Sequence, residues 1–250
     1  MNTLYGQHPI MMMHLAEQIG LSEDSTFIID SILSGMKAYA HYAYEADQNT
    51  FKPLWADGTD LSNEQIPRTG YFGEKGRNFA FYKPQGATVL AYVRAVQFSD
   101  DGVLWNVVRH MLMDEGLGDI GAKRNGEPQL NFETNNADPE LLMSLIELYE
   151  ITTISDFLYM AERLGDNIIR KRFHNGYFMP AQNYVHAKFD THEPLALLHL
   201  EAARKGMLEK MPAYLTGSGE TDGEPAPGGR PSDEWLYNER YSTDNDLHLE

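Results

Sequence analysis

The stretch Asp138-Pro139-Glu140-Leu141-Leu142-Met143-Ser144-Leu145-Ile146-Glu147-Leu148-Tyr149 decides how this chain is read. Asp accepts hydrogen bonds from first-turn amides, Pro suits the first helical position, and Glu140 puts an anion at the positive end of the helix dipole. Leu141, Leu142, Leu145, Ile146 and Tyr149 then recur at spacings of three and four, the signature of one helix face turned inward. After a break at residues 152–155, Ser155 or Asp156 opens a second helix. It carries Leu158, Ala161, Leu164, Ile168 and Ile169 to about Phe173, and Arg170, Lys171 and Arg172 complement its C-terminal dipole. Two helices joined this closely must lie side by side.

The same grammar extends in both directions. Residues 9–19 are apolar at helical spacing and stop at Gly20; the run Met11-Met12-Met13 within them reads as core filler. Ser25 or Thr26 can cap a second helix in which Ile28, Ile29, Ile32, Leu33, Met36, Tyr39, Ala40 and Ala43 face inward. Further helices are predicted over about 85–98 and 101–115, and a last one after Thr191-His192-Glu193-Pro194, ending near Gly206. Within a pair the connections are short; between pairs run long excursions over 49–84, 116–137 and 174–190. Loops of that length are uncommon unless they serve a function. The pattern predicts an all-α chain, an α/α barrel (toroid) or an incomplete segment of one, whose long loops line a cleft. Residues 1–216 would form that domain, and 217–250, rich in Gly, Pro and acids, a tail. Asn49-Thr50-Phe51-Lys52-Pro53 after the second helix is echoed by Asn175-Gly176-Tyr177-Phe178-Met179-Pro180 after the sixth.

Composition narrows the function. The 250 residues carry 20 Lys and Arg against 37 Asp and Glu, a net charge of −17, which repels a phosphate backbone and argues against nucleic acid as partner. There is no cysteine, so disulfides, thiolate metal sites and a Cys nucleophile are excluded. Mean hydropathy is −0.46, and no apolar run approaches the ~20 residues of a membrane span, so no membrane partner is expected. The start, Met1-Asn2-Thr3-Leu4-Tyr5-Gly6, lacks the features of a signal peptide, so a cytoplasmic location is the default expectation. His-Glu-x-x-His, Gly-x-Ser-x-Gly and dinucleotide-binding glycine motifs are all missing.

The chemistry-bearing candidates sit in the long loops. In Tyr184-Val185-His186-Ala187-Lys188-Phe189-Asp190, an extended backbone places Tyr184, His186, Lys188 and Asp190 on one face, just before a helix start. Tyr184, His186 and Lys188 are the candidate acid/base set, and Asp190 a substrate contact. The bland alternative is an edge segment with a solvated face. Asn131 and Glu133 alternate with Phe132 before the Asp138 cap, and side chains of this kind grip sugar hydroxyls; local turn chemistry is the competing role. Gly70-Tyr71-Phe72-Gly73-Glu74-Lys75-Gly76-Arg77 reads either as a flexible loop or as an aromatic platform with Arg77 aimed at a carboxylate. His174, just before the echoed stretch, and Tyr177 within it complete the substrate-binding candidates, with Lys83 beside Arg68, Lys75, Arg77 and Lys188 as loop cations able to make a basic patch. Trp55-Ala56-Asp57-Gly58-Thr59-Asp60 lacks the spaced carboxylates of a calcium loop and reads as a turn.

Several of these stretches together resemble the C-terminal half of family 2 pectate lyases. They are Met36-Lys37-Ala38-Tyr39-Ala40 through Lys52-Pro53, Gly116-Leu117-Gly118-Asp119-Ile120-Gly121, Leu164-Gly165-Asp166-Asn167-Ile168, Arg172-Phe173-His174-Asn175-Gly176-Tyr177-Phe178, and Glu193-Pro194-Leu195-Ala196-Leu197-Leu198-His199-Leu200. The likeness runs in order over about residues 3–215. It implies an α/α barrel that cleaves polygalacturonate, an acidic polysaccharide, by β-elimination, with a divalent metal as cofactor. It also implies an Arg base beside a His-and-Glu metal site in a part of the family that precedes this chain. On that likeness the chain would be a truncated lyase, with metal ligands not identifiable in it. Arg109-His110 looks like the family's Arg-His pair, but its surroundings match a different helix, so the role is not transferred. The alternatives are another α/α-toroid carbohydrate enzyme, such as an epimerase or unsaturated-uronide hydrolase, and a non-catalytic helical-repeat module.

Overall fold

The computed structural model describes residues 2–55, 57–70, 73–179, 191–211, 240–241 and 247–248. Among these the architecture is all-α, with strands only as two-residue antiparallel pairs. Helices α1 (Asn2–Ile19) and α2 (Glu23–Tyr42) are followed by the hairpin β1 (Tyr44–Glu45) and β2 (Thr50–Phe51). Helices α3 (Gly86–Phe98) and α4 (Gly102–Asp114) are followed by β3 (Gly118–Asp119) and β4 (Gln129–Leu130). Helices α5 (Pro139–Thr152) and α6 (Ser155–Arg172) are followed by β5 (Phe173–His174) and β6 (Tyr177–Phe178). Helix α7 (Glu193–Arg204), a 3-10 turn at Leu208–Lys210, and the pair β7 (Arg240–Tyr241) and β8 (Leu247–His248) complete the order. A helix pair capped by a hairpin thus occurs three times. The sequence echo captured the first and third, where Asn49 and Asn175 both take the left-handed conformation at φ 47°. None of the described helices is long and apolar enough to cross a membrane.

The chain divides into two compact units, Met1–Asn131 and Phe132–Glu250. In the first, Ile10 and Met13 of α1, Leu90 of α3, and Leu104, Met111 and Leu112 of α4 are fully buried. Helix α2 presents Leu33, Met36 and Ala40 to the core, the narrow stripe expected of a partly solvated helix. Phe51 is the plug of the first hairpin. Its ring lies 5.1 Å from Tyr44, 6.1 Å from Tyr92 and 6.2 Å from Tyr82, while its backbone exchanges two hydrogen bonds with Tyr82. In the second unit, Leu141, Leu142 and Leu145 of α5 pack with Phe157, Met160 and Leu164 of α6 and Ala196 and Leu200 of α7. Gly165 of α6 allows this approach: a Cβ there would stand 2.6 Å from a methyl of Leu200.

Several local expectations are corrected. The first helix begins before Pro9 and runs through it. Of the three consecutive methionines only Met13 is core, because Met11, two residues earlier, falls on the exposed face. The cap of α2 is Ser22; Ser25 is its reciprocal partner, its hydroxyl accepting from the Ser22 amide at 3.0 Å. Helix α5 is buried around its whole circumference over 141–148, not on one face. On α6 Phe157 and Met160 join the expected Ala161, Leu164 and Ile168 in the buried stripe, and Ile169 faces solvent.

Gly118 makes the tightest backbone approach. It sits at φ 91°, and a Cβ would lie 2.4 Å from the Gln129 carbonyl oxygen and 2.8 Å from the Leu130 Cα, all backbone atoms that cannot turn aside. Gly118→Ala is expected to cost about 1–3 kcal/mol or more. Gly102→Ala, at the start of α4 with open space around it, should be neutral or stabilising. Urea midpoints of the two variants check this; equal midpoints would contradict the geometry.

Candidate functional site

The polar machinery of the second unit gathers where α5 and α7 begin and α6 ends. A helix buried on all sides cannot leave its first-turn amides to water, so α5 is closed by protein groups. The Asp138 carboxylate accepts from the Leu141 amide at 3.0 Å, and the Asn136 side chain accepts from the Asp138 amide at 2.9 Å. Asn167 of α6, with no solvent exposure, donates its amide to the carbonyls of Thr134 at 3.0 Å and Asn136 at 2.9 Å. Arg170 donates to the Asn167 side-chain oxygen at 2.6 Å, and Lys171 donates to the Asn135 carbonyl. The three cations at the end of α6 therefore do more than balance a dipole. Two of them strap down the segment leading into α5, and the third, Arg172, pairs with buried Glu193 of α7 at 2.6 Å.

Beside Arg172 lies a group of ionisable residues that helical periodicity did not reveal. Glu140 meets the Nδ1 of His192 at 2.5 Å and hydrogen-bonds Asp138. Burial, with Glu140 alongside, holds the Asp138 carboxyl well above the ordinary range. Burial alone would raise Glu140 too, but hydrogen bonds from His192 and Asp138 outweigh it and keep Glu140 low. Two carboxyls in contact thus share one proton, and the anionic one is matched to an imidazole. Sequence read Asp138 and Glu140 correctly as helix-start devices and His192 as preceding a helix. Nothing in spacing says that the two helix starts abut.

The expected site residues fare differently. His174 and Tyr177 are brought together as direct partners across β5 and β6, joined by the tight Asn175-Gly176 turn, with the Phe173 and Phe178 rings 5.1 Å apart at the hairpin base. His174 is exposed and Tyr177 half-buried. Glu133 is exposed in the same unit, on the segment before α5. Tyr184, His186, Lys188 and Asp190 lie outside the described residues, as do Tyr71 and Phe72. By connectivity the 180–190 segment joins Met179, after β6, to Thr191, before His192.

In the first unit, Asn131 donates its amide to the Gly116 carbonyl at 2.9 Å, a tie across the 116–137 loop and the turn chemistry that competed with ligand binding. Arg77 is largely exposed and pairs with Glu74 at 3.4 Å. Lys83 pairs with Asp114 at 2.9 Å, and Asn49 donates to the same carboxylate while accepting from the Tyr44 hydroxyl at 2.7 Å. Lys83 and Asn49 hold Asp114 below the ordinary carboxylate range, whereas burial and Asp114 push the Tyr44 phenol up. Arg109 is committed to Asp119 by two hydrogen bonds of 2.6 Å, and His110 stacks near Tyr44 at 6.5 Å. These two bonds from the guanidinium anchor β3 to α4. The Asp57 region is a turn, its carboxylate accepting from the Thr59 amide at 2.9 Å.

The family model described as periplasmic pectate lyase matches residues 1–224. The chain belongs to that family. A curated relative, a pectate disaccharide-lyase from Dickeya dadantii (strain 3937), is 27% identical over 224 residues, which is 90% of this chain and 38% of the relative. The chain thus spans less than two fifths of the length of that relative. The family implies a divalent metal, but among the described residues no group of three or more His, Asp or Glu side chains is arranged to hold one. The described residues do not fit a metal centre.

Asn167 is the keystone of this region. Asn167→Asp keeps shape but replaces the two donors with an acceptor facing two carbonyls, with only Arg170 to offset the charge. It is expected to cost roughly 2–5 kcal/mol, more at neutral pH than in acid, where the new carboxyl can keep its proton. Thermal melts between pH 4 and 8 check both statements; a melting temperature equal to that of the parent chain would contradict them.

Proposed function

We propose that this chain takes part in cleaving polygalacturonate-like acidic polysaccharide by β-elimination. The observation that carries this reading is the family match over residues 1–224. The named activity of the relative supports the same chemistry. In that reaction a base removes the proton on C5 of a uronide, the C–H electron pair forms the C4–C5 double bond, and the C4–O4 bond breaks with its electrons leaving on oxygen. The substrate carboxylate must be neutralised for C5 to become acidic enough, and the departing O4 benefits from a proton donor.

Tyr184, His186 and Lys188 are proposed as the proton-handling face, with Asp190 beside them. His174 and Tyr177 are proposed as sugar contacts on the hairpin from which that segment departs; Glu133 and Asn131 are each proposed as further substrate contacts. An exposed His and a half-buried Tyr on adjacent strands offer a hydrogen-bonding edge and an apolar ring face, both suited to a sugar. Arg77 and Lys83 are the proposed carboxylate partners. Both are exposed and held by exposed or half-exposed acids, and such pairs contribute little. Exchanging Glu74 for a uronate therefore costs Arg77 almost nothing. A net charge of −17 makes such local cations necessary, since the whole-chain field disfavours a polyanion.

The test is direct. With polygalacturonate and divalent metal, the protein should raise the ultraviolet absorbance of the unsaturated product. His186→Ala and Lys188→Ala should each lower the rate by about 10²–10⁴, and Arg77→Ala should raise KM with less effect on kcat. A parent protein that gives no unsaturated product under any divalent metal would refute the proposal.

A further inference from the structure

We propose that Asp138, Glu140 and His192 form a proton-dependent clasp that positions the end of the segment bearing Tyr184, His186 and Lys188. The geometry begins with covalent connectivity: His192 is the residue before α7 and follows the 180–191 stretch directly. Its imidazole is held by Glu140 of α5 at 2.5 Å, and both side chains are largely withdrawn from solvent, at 20% and 16% exposure. Asp138 bonds Glu140 from the other side. Two carboxyl groups in contact in a half-buried place require a proton between them. While Asp138 carries it, Glu140 is the lone anion and can hold His192. When Asp138 ionises, two adjacent anions repel, and Glu140 is pulled between the imidazole and its neighbour.

The other charged groups around the pair have their own partners. Arg172, at the end of α6, faces Asp138 and favours its ionised form, but its guanidinium is bonded to Glu193 of α7 at 2.6 Å. Arg170 and Lys171 are bonded to Asn167 and to the Asn135 carbonyl. The Arg172–Glu193 bond keeps α7 attached to α6 while the clasp opens. The sign follows from the proton. The folded chain retains on Asp138 a proton that the unfolded chain releases in the ordinary carboxylate range. The stabilisation from that proton is complete in acid and is lost as pH rises through the folded-state value.

Only the catalytic consequence of the clasp rests on the lyase reading, so the test has two arms. Hydrogen exchange of the full chain at pH 5.0 and 8.5, corrected for intrinsic rates, should show amide protection over 192–196 falling at least tenfold at the higher pH. Asp138→Asn keeps the cap acceptor and supplies a permanent donor to Glu140, so its protection should change little between the two. His192→Phe should lack the protection at both; if it does not fold, Asp138→Asn carries the comparison alone. Parent protection that does not change with pH, or that Asp138→Asn leaves equally pH-sensitive, overturns the clasp. In the second arm, turnover of polygalacturonate by Asp138→Asn should persist to higher pH than in the parent, with the change in KM rather than kcat. PH-sensitive exchange in a protein with no turnover would uphold the clasp and refute the lyase reading; turnover with flat exchange would do the reverse.

Discussion

Helix α5 is enclosed by protein along residues 141–148, so the polar groups at its N-terminal end must find partners without water. Much of the second unit follows from that constraint. The Asp138 carboxylate, the Asn136 side chain and the two carbonyls taken up by Asn167 form one connected arrangement, and each member leaves another buried group stranded if removed. The end of α6 supplies Arg170 and Lys171 to that arrangement, and the start of α7 is drawn in through Arg172 and Glu193. A helix start chosen for burial thereby becomes the point where three helices and two loops are registered against one another.

How much of this could be read in the sequence depends on whether the signal was local. The Asp138 cap and the helix at Ser155 are each written within four residues and were recovered, whereas the last helix, expected after Pro194, starts at Glu193. The doubled Asn at the hairpin turns was visible because only a few residue types accept a left-handed backbone. Complete enclosure of α5 was not visible, since Ser144 and Glu147 make it read as amphipathic while both are buried. Nor was the meeting of Glu140 with His192, separated by 52 residues, because periodicity describes one helix at a time. Of the candidate site, the pairing of His174 with Tyr177 follows from the Asn-Gly turn, whereas the capture of Arg109 by Asp119 and of Lys83 by Asp114 required coordinates.

Charge organises the two units in different ways. In the first, Asp114 and Asp119 at the end of α4 and in β3 are held ionised by Lys83 and Arg109, so their stabilisation is present above the ordinary carboxylate range and fades in acid. In the second, Asp138 runs against that trend, being favoured where the others weaken. The chain therefore contains two opposed responses to protons, one fastening a hairpin to a helix and the other joining two helix starts.

The three hairpins differ most at their tips. The apical loops span residues 175–176, 46–49 and 120–128, while every base is the same two-residue ladder against the end of a helix pair. Lengthening such a loop is inexpensive, at about 0.6 kcal/mol per doubling, because closure entropy grows only logarithmically. Two of the tips are tied back to α4 beyond the ladder, Asn49 donating to the Asp114 carboxylate and the Gly121 carbonyl accepting from the Trp105 indole, whereas the Asn175-Gly176 tip is exposed to solvent. The Asn175-Gly176 tip is accordingly the place where the scaffold can exchange one surface for another during divergence, or accept a grafted peptide, without renegotiating its core.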